Sequence, residues 1–168
     1  MKLFFYSKEK NHTRSDTDAL INKSLSGYLG REVSAVIQRT SAGKPYSEEY
    51  PLHIGVTHTD DTVLVAINER PFGIDCESKD RTAINMHRIA EKYFCENERT
   101  YVFENCSDKQ TMNERFLEIW VKKEAYVKFT GEGLSGMSKC DVTSLGVYKL
   151  IENQNNLLIY IYEEDKHE

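Results

Sequence analysis

Residues 71–78 read PFGIDCES. The run starts as a buried strand and then places two carboxylates, Asp75 and Glu77, where an apolar run should continue. Residues i and i+2 of a strand point to the same face, so the two acids stand side by side. Like charges on one face repel and push one pKa upward unless a cation or solvent relieves them. The question is what holds them there.

Outward from this run the chain keeps a regular order. Upstream, LHIGVTHT (52–59) and TVLVAIN (62–68) alternate around Asp60-Asp61 and predict a hairpin, and the turn NERP leads into FGIDCES as a third strand. KLFFYSK (2–8) reads as a first strand, and residues 15–29 read as a helix. There Ser15 is placed to cap, Asp16 and Asp18 sit in the first turn, and Gly30 follows the end. Its apolar stripe is Leu20, Ile21, Leu25, Tyr28 and Leu29. AGKPYSEEYP (42–51) is a loop by composition.

Downstream, helices are predicted over 82–94 and 96–104. A longer helix, NERFLEIWVKKEAYVKFT (113–130), has Phe116, Leu117, Trp120 and Val127 as its inner stripe and Gly131 at its end. Strands over 145–152 and 156–163 follow, joined by the polar turn NQNN. Strands covered by helices through mostly short turns predict an α+β fold rather than a doubly wound parallel sheet.

Bulk properties narrow the classes. The 168 residues suffice for one domain with a proper core. A formal charge of −5 argues against a general nucleic-acid binder while leaving room for a local basic pocket. The N-terminal apolar run is too short for a signal segment, and no stretch is apolar enough to span a membrane, so the cytoplasm is the expected compartment. Cys76, Cys95, Cys106 and Cys140 form no C-x-x-C pair and have no histidine at zinc spacing, the pattern of reduced structural thiols.

The long helix carries the second chemical signal. Glu124 and Lys128 are four apart and share a face, Trp120 lies one turn earlier on the same line, and Lys123 flanks it. Such a pair is either an ordinary surface ion pair or part of a site at the edge of a buried face. Asp75, Glu77 and a third carboxylate such as Glu124 would make an all-oxygen set suited to Mg²⁺ rather than zinc. The plain alternative is an exposed edge face that stays solvated. His58 in VTHT is either a satisfied structural histidine or, with Thr57, a donor set for phosphate oxygens. Gly43-Lys44-Pro45 is a turn first and does not match a P-loop.

Taken in order, GKP, VTHT, PFGIDCE and WVKKEAYVKFTGEGL resemble the signatures of the 4′-phosphopantetheinyl transferase family. The late position of Asp75 is similar to the Sfp-type (surfactin-synthetase-activating) branch, although the chain is short for that branch at its N-terminal end. The resemblance implies two like α+β halves, 1–70 and 71–168, packed as an intramolecular pseudo-dimer with the ligand in the cleft between them. It implies transfer of 4′-phosphopantetheine from coenzyme A to a serine of an apo carrier protein, acyl, peptidyl or polyketide, by a Mg²⁺-dependent monomer that releases adenosine 3′,5′-bisphosphate.

By position, Asp75, Glu77 and Glu124 then look like the metal ligands, and Glu124 also like the general base. Lys123 and Lys128 would neutralise the diphosphate, His58 and Thr57 would hold phosphates of coenzyme A, and Arg14, Lys44 and Pro45 would lie near its adenine and 3′-phosphate. Threonines replace the family's usual serines on either side of His58, and Asp60-Asp61 bring negative charge close by. Arg81, Arg88 and Lys92 with Ile84 and Met86 form the candidate carrier surface. Two other classes compete: a coenzyme A-binding module without transfer, and a Mg²⁺-dependent phosphohydrolase.

Overall fold

A β-α-β-β chain path repeats along the molecule, each time with its long strands in one antiparallel sheet. The computed structural model describes residues 1–144, 148–151 and 156–164. It divides into two compact units, Met1–Phe72 and Gly73–Glu168.

In the first unit, β1 (Lys2–Ser7), α1 (Arg14–Leu29), β4 (His53–His58) and β5 (Thr62–Asn68) form the frame, and β2 (Gln38–Arg39) and β3 (Pro45–Tyr46) make a small ribbon. The sheet order is β1-β5-β4, with Phe4 opposite Val65 and Val65 opposite Val56. Val63, Val65 and Ile67 alternate along β5 and pack with Ile21 and Leu25 of α1 and Ile54 of β4. The helix begins two residues earlier than a cap at Ser15 suggests. Thr13 is the N-cap: its hydroxyl accepts from Asp16 N, and the Asp16 carboxylate accepts from Thr13 N at 2.8 Å, which closes a capping box. Asp16 at the third helical position thus selects Thr13. Gly30, at φ 68°, ends the helix in the left-handed region as expected. Part of the expected 42–51 loop is paired backbone, since Pro45–Tyr46 bonds to Gln38–Arg39.

The second unit contains β6 (Gly73–Ser78), α2 (Met86–Tyr93), α3 (Glu96–Phe103), α4 (Lys109–Thr130), a 3₁₀ segment (Gly133–Lys139), β7 (Tyr148–Leu150) and β8 (Leu157–Tyr162). Its sheet order is β6-β8-β7, all antiparallel. As in the first unit, the first long strand lies at an edge and the last in the centre. The α+β class is therefore as expected. Helix α2 starts four residues later than the predicted 82–94 span because Asn85 sits at φ 59°, a break in the helical path. Helix α4 starts earlier than 113, where Asp108 accepts from Thr111 N at 2.8 Å and caps a polar first turn that has no apolar stripe to announce it. The turn residues Asn153, Gln154 and Asn155, and the flanks of the predicted 145–152 strand, lie outside the described residues.

Phe116, Leu117 and Ile119 of α4 pack with Ala90, Phe94, Val102 and Val142. On its sheet side, Tyr126 and Phe129 meet Tyr162 edge-on, with ring centroids 5.2 and 5.0 Å apart. The closest approach is at Gly73: a Cβ there would lie 1.8 Å from the carbonyl oxygen of Ala125. Only glycine lets α4 lie this near β6.

Candidate active site

Strand β6 delivers Asp75 and Glu77 to one sheet face, and both are buried, 7% and 9% exposed. Their ladder partners on β8, Tyr160 and Leu158, share that face. This is the face that α4 crosses. Four residues beyond Glu124, Lys128 donates from Nζ to Asp75 Oδ1 at 2.6 Å. So the helix pair Glu124/Lys128 is no free surface pair: it meets the strand carboxylate.

Electrostatics tie the three groups together. Burial raises the Glu124 pKa, the negative charge of Asp75 raises it further, and Lys128 only partly offsets this. Burial works to lower the Lys128 pKa, but the charge and hydrogen bond of Asp75, with the charge of Glu124, outweigh it and hold the ammonium above its ordinary range. A half-buried carboxylate whose pKa is raised is a better proton acceptor than an ordinary glutamate.

The structure answers the opening question in its own way. Each strand acid has its own cation: Asp75 pairs with Lys128, and Glu77 pairs with Arg81 while accepting from Ser78 N at 3.1 Å. Among the described residues, the oxygens of Asp75, Glu77 and Glu124 do not close to within 4.8 Å of one another; the group that does is Cys95, Glu98 and Asp141. The chemistry of the expected set still fits a hard divalent ion, being carboxylates only, two of them buried on one strand face and the third feeling the negative charge of Asp75. The Cys95–Glu98–Asp141 group does not need one, because the Lys123 ammonium already lies 2.8 Å from Glu98.

Lys123 is the clear correction. Expected to neutralise a diphosphate, it is instead 0% exposed and donates to Met137 O at 2.6 Å and Cys140 O at 2.8 Å in the core. The reason is helical geometry: Lys123 lies about 100° around α4 from Glu124. Lys122, its neighbour, pairs with Glu118 at 2.6 Å and lies 4.8 Å over the Tyr160 ring. A cavity of about 390 Å³ beside the first half of α4, lined among others by Tyr101, Arg115, Leu117, Glu118 and Tyr160, holds none of the expected site residues.

In the first unit, Thr57 is buried and His58 is exposed at the end of β4, so His58 is not a core histidine. Lys8 Nζ lies 3.3 Å from His58 Nδ1 and donates to Thr59 O at 3.0 Å. This contact was not legible in the sequence, because it comes from the strand order β1-β5-β4. Lys44 donates to Phe72 O at 3.0 Å, and burial lowers its pKa. Pro45 opens β3, and Arg14 is exposed at the first position of α1. The charge of Asp61 has a local purpose: it accepts from the Thr59 hydroxyl at 2.8 Å and the Thr62 hydroxyl at 3.0 Å, closing the hairpin.

Residues 71–163, more than half of the chain, match the protein-family model of the 4′-phosphopantetheinyl transferase superfamily. The chain belongs to that superfamily. It is 29% identical over 125 residues to the 4′-phosphopantetheinyl transferase gsp of Aneurinibacillus migulanus, covering 74% of this chain and 47% of that protein. It is 29% identical over 133 residues to the 4′-phosphopantetheinyl transferase Sfp of Bacillus subtilis strain 168, covering 78% of this chain and 57% of that protein. A third relative, the 4′-phosphopantetheinyl transferase psf-1 of Bacillus pumilus, is 31% identical over 101 residues, 60% of this chain and 41% of its own length. The resemblance to the Sfp type thus holds, and the chain spans about half the length of the curated relatives it matches. The superfamily match takes in Asp75, Glu77, Glu124 and Lys128 together. Among the described residues of this superfamily member, no helix is long and apolar enough to cross a membrane.

Proposed function

We propose that the chain transfers 4′-phosphopantetheine from coenzyme A to a serine of an apo carrier protein and releases adenosine 3′,5′-bisphosphate. The observation that carries this is the hydrogen bond from Lys128 on α4 to Asp75 on β6, with Glu124 on the same helix feeling the charge of both, in a member of the superfamily whose relatives bear that activity in their names. Glu124, raised by burial and by Asp75, takes the proton of the carrier serine hydroxyl. The freed oxygen attacks the phosphorus attached to pantetheine, and the bond to the bridging diphosphate oxygen breaks with its electron pair leaving on the bisphosphate. Lys128, oriented by its hydrogen bond to Asp75, faces the charge that develops. Asp75, Glu77 and Glu124 would hold Mg²⁺, which would supply charge neutralisation at the diphosphate.

Arg14, Lys44, Pro45, Thr57 and His58 enter this reading through the family resemblance, as holders of the adenine end and phosphates of coenzyme A, and Lys8 joins them through its contact with His58. The carrier surface belongs to α2 and the turn before it, where Ile84 is 77% exposed and Arg88 and Lys92 are exposed beside it. An apolar side chain this open, flanked by cations, suits the acidic helix of a carrier.

The test is incubation with coenzyme A, Mg²⁺ and an apo carrier, followed by intact mass. Gain of one phosphopantetheinyl group supports the transferase. Bisphosphate release without labelling makes it a hydrolase, and coenzyme A binding alone makes it a binding module; either outcome overturns the reading.

A further inference from the structure

The ion pair between Lys123 and Glu98 is the one among the described residues whose two side chains are both fully enclosed. The Lys123 ammonium donates to Met137 O at 2.6 Å and Cys140 O at 2.8 Å and lies 2.8 Å from the carboxylate oxygen Oε2 of Glu98. Fully buried, it is out of reach of a phosphate. Glu98 is equally occupied, accepting from Cys95 N and Val142 N at 2.8 Å each. One contact therefore ties α4 to the first turn of α3, to the 3₁₀ segment and to residues 140–142.

This contact and the catalytic face are separate sides of one helix. Toward β6, the Ala125–Gly73 approach sets how near α4 lies to the sheet. Away from it, Lys123 is tethered at fixed points on three other segments, which sets the rotation of α4 about its own axis. Side-chain tips stand about 5–6 Å from a helix axis, so a roll of about 20° would sweep Glu124 and Lys128 by roughly 2 Å. Displacements of about 1 Å in a catalytic group cost on the order of a hundredfold in rate.

We propose that Lys123 and Glu98 are a positioning pair: they lock the roll of α4 so that Glu124 and Lys128 face Asp75, and neither touches substrate. For its catalytic consequence the proposal rests on the transferase reading above. Its structural claim is read independently from Trp120, the only tryptophan of the chain, which lies on α4 one turn before Lys123 and 6.1 Å from the Tyr93 ring.

The experiment compares Glu98→Gln, Lys123→Met and the double change Lys123→Met with Glu98→Leu. Each is measured for coenzyme A Kd by calorimetry, for kcat, and for Trp120 emission. The proposal expects each single variant to lose at least tenfold in kcat with Kd within twofold of wild type, and the emission maximum to shift. It also expects the double variant to lose no more than either single one, because the partners act as a unit and an apolar replacement leaves no orphan charge. A tenfold weaker Kd in Lys123→Met with Glu98→Gln unaffected would make Lys123 a phosphate ligand and overturn the proposal. So would a folded Glu98→Gln with wild-type kcat and emission. If the single variants do not fold, the double variant decides: unchanged Kd with shifted emission supports the lock, and a weakened Kd overturns it. If wild type transfers nothing, the function reading fails while the Trp120 comparison still decides the lock.

Discussion

Replacing Gly73 by alanine tests the geometry on which the site depends. The new Cβ would meet the Ala125 carbonyl oxygen at 1.8 Å and the Phe129 amide nitrogen at 2.7 Å, where ordinary contact begins at 3.4 Å. Both obstacles are backbone of α4, so no side-chain rotation relieves the clash. The helix must retreat from β6 by about 1.6 Å, the shortfall at the nearer atom. Overpacking of this kind costs about 3 kcal/mol, the upper end of the usual range, and in a chain of this size lowers Tm by roughly 6–12 °C. The same retreat carries Glu124 and Lys128 away from Asp75, so kcat should fall by on the order of a hundredfold even in the protein that remains folded. Thermal unfolding followed by circular dichroism gives the first quantity, and carrier labelling well below Tm gives the second. A Gly73→Ala protein that melts within 1–2 °C of wild type and labels at the wild-type rate would refute the close packing of α4 on β6, and with it the site.

Three further outcomes are expected. Glu124→Gln should abolish transfer while coenzyme A still binds in a calorimeter; and because the Glu124 pKa is raised, wild-type activity should fall as pH drops through a value above the ordinary 4.5, by protonation of the base. Asp75→Asn removes a charge that raises Glu124, so the acid limb of the pH–rate profile should move to lower pH, and the Lys128 contact should loosen; an unmoved limb would separate Asp75 from Glu124. Arg88→Glu should raise the KM for the carrier several-fold and leave the coenzyme A Kd unchanged; unaltered carrier kinetics would remove α2 as the docking face.

Much of this protein is written in local periodicity. The alternation in 52–59 and 62–68 yields the β4–β5 hairpin, the period of two puts Asp75 and Glu77 on one face, and the four-residue step puts Lys128 in line with Glu124. Caps were partly legible: Gly30 and Gly131 end their helices, but Asp16 drew the first cap to Thr13 rather than Ser15. Periodicity names which residues share a face; it does not name what that face meets. The order β6-β8-β7, which sets Tyr160 and Leu158 beside the two acids, depends on pairings between strands about 80 residues apart in the chain.

The two adjacent lysines show where local information stops. In Lys122-Lys123-Glu124 residue type and local charge alone do not separate the two lysines, and the family resemblance picked Lys123 as the phosphate ligand. Tertiary packing turned Lys122 toward Glu118 and Tyr160 and drove Lys123 into the core against Glu98, 25 positions earlier. A buried ammonium is tolerable only where several acceptors converge on it, and that convergence comes from three separate segments folding around α4. Local pattern was enough for the main helices and long strands, the α+β class and the acidic pair on β6. Which cation answers Asp75, and which lysine is structural, was decided by how α4 packs against its neighbours, because periodicity fixes which residues share a face of a helix and only the surrounding segments fix what that face meets.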